Sequence, residues 1–103
     1  FDGAALFSEF IPLEGESLQS TLDSLSVELK INGKVAQSGS VDMMVYSPAA
    51  ILDELQTFLS LNDGDILMTG TPAGVGKVVS GAVYQASTLS FGAALVTAQW
   101  RAE

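Results

Sequence analysis

The chain has 103 residues, enough for one small domain, and twelve Asp and Glu against four Lys and Arg give it a formal net charge of -8 with no histidine. That acidity repels phosphate backbones and anionic lipid surfaces, and no apolar run approaches the ~20 residues of a membrane-spanning helix, so nucleic acid and membranes are argued against as partners. Only 16% of the residues are charged against 48% hydrophobic, where an average soluble domain has roughly 25% charged. That imbalance predicts an apolar face covered by a partner subunit or by more of a larger domain, and aggregation of an isolated monomer.

Cysteine is absent, which rules out disulfides and thiolate metal sites and fits a reducing cytosol. No basic region followed by an apolar stretch opens the chain, so it shows no export signal, and the expected location is cytoplasmic.

In chain order, Glu14 to Ser24 is rich in Ser, Glu and Gln and reads as the most flexible stretch. From Leu25 to Ile31 the odd positions are apolar and Ser26, Glu28 and Lys30 are polar, which is the period-two pattern of a half-buried strand. Asn32-Gly33 follows, the pair best suited to the two positive φ angles of a type I′ turn, and Lys34 to Gln37 can return as the partner strand. Ser47-Pro48 reads as an N-cap and a proline at the first helical position. Ile51, Leu52, Leu55, Phe58 and Leu59 then recur at helical spacing with Asp53, Glu54 and Gln56 opposite, which predicts one helix with a core face, ending before Asn62-Asp63-Gly64. Ile66 to Met68 suits a short buried strand, and the segments around Val83 to Phe91 and Leu95 to Trp100 suit a closing pair of strands. No repeat or low-complexity tract interrupts this order.

The run from Asn62 to Gly76 holds a turn, a short apolar segment and the glycine-rich loop Thr69-Gly70-Thr71-Pro72-Ala73-Gly74-Val75-Gly76. Two phosphate-binding patterns fail on it by position. A P-loop ending at Gly76-Lys77 would need glycine at Thr71 and a hydroxyl at Val78, and a dinucleotide fingerprint begun at Gly74 would need glycine at Val79. Read from the residues alone, the glycines turn the chain between two strands. Glu14-Gly15-Glu16 sits in a hydrophilic stretch and reads as a solvated loop, since a hard-cation site needs more ligands. Without histidine there is no Ser-His-Asp arrangement, and Lys30 and Lys34 flank the hairpin turn as surface residues.

Taken together, Phe1-Asp2-Gly3, Ser8-Glu9-Phe10-Ile11-Pro12, Asn32-Gly33 with Gln37, and the Thr69 to Gly76 loop resemble the fumarylacetoacetate hydrolase family over nearly the whole chain. The resemblance is to the C-terminal half of that family's catalytic domain. It implies an α+β fold, mainly β, a mixed β-roll or β-sandwich with one packed helix, with residues 1-103 forming a single partial domain of a homodimer. It also implies a metal-dependent hydrolase, decarboxylase or isomerase acting on small 2-oxo or 1,3-dicarbonyl acids of the acylpyruvate kind, as in aromatic degradation. In the family, Mg²⁺ or Ca²⁺ is held by a Glu-x-Glu pair that precedes the segment matched by Phe1 to Pro12, and a lysine stands two residues before the phenylalanine matched by Phe1. This segment would then bind no metal by itself and be inactive alone.

By the same resemblance Thr71 contacts the substrate's oxygens, with Thr69 and Gly70 positioning it; Asp2 and Glu9, nearer the family's pocket, are either structural or support the pocket from behind the contacting groups, and no catalytic residue is assigned. A threonine hydroxyl and the N–H groups of a glycine-rich turn can donate to a carboxylate or enolate without adding a competing charge. Two positions depart from the pattern: Gly3-Ala4 replaces a hydroxyl residue, and Ser80-Gly81-Ala82 stands where the family has Gly-Asp before its last strands. The alternative function is a truncated, non-catalytic binding or assembly module that keeps the fold.

Overall fold

A computed structural model describes residues 2–3, 5–13 and 18–103. The Phe1 and Ala4 positions of the resemblance and the Glu14-Gly15-Glu16 reading lie outside the described residues. Leu18–Asp23 forms a short helix, α1, so the second half of the stretch expected to be flexible is helical. The reason is local: Gln19 Nε2 donates to Asp23 Oδ1 at 2.9 Å, an i,i+4 pair across one turn.

The strands are β1 (Leu25–Ile31), β2 (Lys34–Ser40), β3 (Val83–Ser90) and β4 (Ala93–Arg101), in one sheet of order β2-β1-β3-β4. The fold is α+β and mainly β. All three pairings are antiparallel. The sheet is open and neither closes nor curls, so the second layer of a roll or sandwich is not built by the described residues. The cause is strand number: a four-stranded sheet supplies one layer, and a stable architecture needs a second layer over its apolar face.

Asn32 and Gly33 carry φ of 50° and 80°, the left-handed pair that a type I′ turn requires. Asn32 also joins the hairpin to β3: its N–H donates to Val83 O at 2.8 Å and its Oδ1 accepts from Val83 N at 2.9 Å. The last hairpin turns through Phe91 and Gly92, with φ of 50° and 80°, so the departure at Ser80-Gly81-Ala82 leaves the β3–β4 pair intact.

The second helix, α2, spans Pro48–Gln56, with Ser47 accepting from Ala50 N as N-cap. It stops earlier than its apolar periodicity. Phe58 lies beyond it and is 67% exposed, and only Ile51 and Leu55 of the expected core face are half-buried. Ile66 to Met68 is not a strand: it has no ladder partner among the described residues, and Met68 is 81% exposed. An isolated extended segment cannot satisfy its own backbone.

The most buried point is the β3 end of the sheet, where Ala82 and Tyr84 are, among the described residues, the buried hydrophobic ones. Tyr84 stacks on its cross-strand partner Trp100 with ring centroids 6.1 Å apart, and its hydroxyl accepts from Val79 N at 3.1 Å. Elsewhere large apolar side chains stand in solvent, among them Phe10, Met43, Val45, Tyr46 and Phe58. The accessible surface is 7956 Å², against roughly 5,500 Å² for a compact monomer of this mass. The radius of gyration is 15.0 Å, against about 13 Å for a closed domain of this length. The uncovered apolar face expected from the low charge content is therefore present.

Candidate functional site

The loop Thr69 to Gly76 has no regular secondary structure and is held by β2. β2 is irregular where the loop meets it. Leu29 pairs with Gln37 and Lys30 with Val35, so Ala36 is an extra residue on the β2 side. An added residue offsets the side-chain alternation beyond it and re-aims the side chains that follow. From that offset Gln37 donates through Nε2 to Pro72 O at 2.9 Å.

Two glycines allow the close approach. A Cβ at Gly39 would stand 2.9 Å from Pro72 Cβ, and one at Gly74 would stand 2.4 Å from the carbonyl oxygen of Ala36, where φ is also +106°. Gly74 is therefore required both by conformation and by space. Gly76, two residues on, meets nothing within 4 Å and has ordinary φ.

Thr69, Gly70, Thr71 and Pro72 form one wall of an open cleft of about 730 Å³, whose other walls include Ser26, Ser40, Met44, Tyr46, Ile51 and Thr88. This volume lies within the roughly 300–1,000 Å³ of small-molecule sites. The three expected site residues thus share one cleft. Its lining is largely apolar, with Thr69 and Thr71 on the loop side, and includes no carboxylate, ammonium or guanidinium group. Such a wall hydrogen-bonds oxygen-rich groups without repelling an anion.

Asp2 and Glu9 do not line this cleft. Glu9 borders a separate apolar hollow of about 190 Å³ with Phe10, Ile11 and Leu95. Lys30 pairs with Glu28 at 3.4 Å on the half-exposed strand surface, an ion pair of little energetic weight. Among the described residues no three Asp or Glu come together as a cation site. These residues therefore do not fit the divalent metal that the resemblance implies.

Sequence reading missed Ser26, Ser40 and Thr88. The register puts Thr88 opposite Val27, on the face where Gln37 and Gly39 meet the loop, and Ser26 opposite Ser40 on the other face, a division that no local sequence signal reports. Gln37 was read as part of a pattern without a role; its contact with Pro72 spans 35 residues and no local signal reports it.

Comparison with known proteins gives a consistent picture. The family model described as fumarylacetoacetate (FAA) hydrolase C-terminal matches residues 1–99. A fumarylpyruvate hydrolase from Ralstonia sp is 36% identical over 74 residues, covering 72% of this chain and 36% of that protein. The mitochondrial oxaloacetate tautomerase fahd-1 of Caenorhabditis elegans is 38% identical over 87 residues, covering 82% of this chain and 38% of its own length. The crystal structure of a yeast fumarylacetoacetate hydrolase family protein superposes with a TM-score of 0.75 at 32% identity, covering 81% of this chain and 35% of that one. The chain thus spans a little over a third of the length of these relatives.

Proposed function

The chain belongs to the fumarylacetoacetate hydrolase family, and on that premise we propose that it is the C-terminal part of a catalytic domain acting on small 2-oxo or 1,3-dicarbonyl acids. The reaction is C–C hydrolysis, decarboxylation or keto–enol isomerisation, as in aromatic breakdown. The observation that carries this reading is the Thr69-Gly70-Thr71 wall of a largely apolar cleft with no charged side chain in its lining. A similar fumarylpyruvate hydrolase and a similar oxaloacetate tautomerase support the substrate class.

In this reading Thr71 donates its hydroxyl to a carboxylate or enolate oxygen, Gly70 opens the backbone beside it, and Thr69 sets the loop's direction. Gly70 has φ of +115°, a conformation glycine adopts freely. The uncharged wall leaves charge compensation to groups outside this segment. The Mg²⁺ or Ca²⁺ of the reading, which would supply Lewis-acid stabilisation of the developing enolate, is assigned to carboxylates outside this chain. This segment alone is then inactive.

The reading includes a homodimer, supported by an accessible surface about 2,400 Å² larger than a compact monomer's, beside the 7956 Å² present. A cytoplasmic location rests on the cysteine-free composition. Among the described residues, no helix is long and apolar enough to cross a membrane.

The test is turnover by the full-length polypeptide, followed by ultraviolet absorbance of the enol, on oxaloacetate and on acylpyruvates, with Mg²⁺ or Ca²⁺ supplied. Turnover of either substrate class is expected. No turnover of any, with the protein folded and the cation present, would refute the enzymatic reading and leave the binding or assembly module.

A further inference from the structure

We infer that Gln37 is a positioning residue: through its hydrogen bond to the Pro72 carbonyl it fixes the direction in which Thr71 faces the cleft. The catalytic consequence rests on the oxo-acid reading; the mechanical claim does not.

Pro72 has its φ fixed by the ring, and as the residue before a proline Thr71 is confined to extended backbone. Two of the torsional freedoms around the Thr71–Pro72 peptide are thereby removed. What remains is rotation of the whole Thr69 to Gly76 segment as a flap on β2. Three contacts oppose it. Gln37 Nε2 holds Pro72 O at 2.9 Å, the Pro72 ring lies against Gly39, and Gly74 lies against the Ala36 carbonyl.

The last two contacts are steric and set how close the loop can come. Only the first is directional, and so only Gln37 fixes the angle. It can reach Pro72 because Ala36 is the unpaired residue of β2, which offsets the alternation just before Gln37. Gln37 is half-buried, where a side-chain amide bond to a carbonyl is less exposed to competition from water than at the surface.

The experiment uses the full-length polypeptide and Gln37→Met, which keeps the side-chain length and removes the donor. Trypsin cleavage after Lys77, the exposed basic residue that follows the loop, is expected to quicken about tenfold, the size of one net hydrogen bond, with cleavage elsewhere unchanged. Steady-state kinetics supply the readout that a merely structural role would not move. Gln37→Met should lower kcat/KM about tenfold with Thr71 present and less than twofold in the Thr71→Val background, because the amide acts through that hydroxyl. Unchanged cleavage after Lys77, or equal losses in both backgrounds, would overturn the inference. Should the wild-type protein turn over no oxo acid, the functional reading fails and the cleavage measurement alone decides the role of Gln37.

Discussion

Replacing Gly74 by alanine tests the packing of the site loop with the least ambiguity. The added Cβ would lie 2.4 Å from the Ala36 carbonyl oxygen, and the residue holds φ of +106°. Backbone strain at such a φ costs on the order of 1–3 kcal/mol for a residue with a side chain, and forcing an atom into a filled space costs typically 1–3 kcal/mol more. The obstacle is backbone, so no rotamer change relieves it; part of the strain is released instead by lifting the loop off β2. A net loss of about 3 kcal/mol follows if both costs are partly relieved. At roughly 2–4 °C per kcal/mol for a domain of 150–250 residues, Tm should fall by about 6–12 °C. Gly76→Ala is the internal control, since the same chemical change two residues away meets open space at ordinary φ; it should stay within about 0.5 kcal/mol of wild type. Differential scanning calorimetry of the full-length polypeptide and both variants measures the contrast. Equal Tm values for Gly74→Ala and Gly76→Ala would refute the close approach of loop and strand.

Asn32→Ala should lower stability by about 1–2 kcal/mol, because it places a poorer residue at φ of 50° and leaves Val83 N without its acceptor. Asn32→Asp, which keeps the acceptor, should recover most of that loss in denaturant unfolding. The polypeptide 1–103 expressed alone should self-associate and bind a hydrophobic dye at micromolar concentration, since Phe10, Met43, Val45 and Phe58 are exposed on it; a monodisperse, dye-silent monomer by light scattering would contradict the uncovered face.

How far the sequence could be read depended on the range of the interaction. Asn32-Gly33 and Ser47-Pro48 act on their own neighbours, and both did what their chemistry dictates. Strand β1 was legible because alternation is a local record of a two-sided environment, and β3 and β4 through the strand propensity of their residues. Ile66 to Met68 misled for the opposite reason: an apolar triplet states that burial is required but not by what, and no described strand pairs with it. Phe58 and Leu59 continued the helical rhythm past the point where α2 ends.

At the site, the loop containing Thr71 was visible as a motif, whereas its mounting was not. The extra residue Ala36, the donor Gln37 and the clearances at Gly39 and Gly74 exist only once β2 and the loop are brought together across some 35 residues. Thr88 likewise shares the face of Gln37 and Gly39 only through register. A strand sequence records the alternation of its faces but not which distant loop will lie against them.

The central claim is that the Thr71 hydroxyl binds an oxygen of an oxo acid, and the most direct test is the kinetics of Thr71→Val in the full-length polypeptide on whichever oxo acid it turns over. Valine keeps the shape and removes the donor, and loss of a hydrogen bond to a charged oxygen costs about 1.5–3 kcal/mol. The account predicts a fall in kcat/KM of roughly 10- to 150-fold with an unchanged fold by circular dichroism. Wild-type kcat/KM in that variant would contradict it.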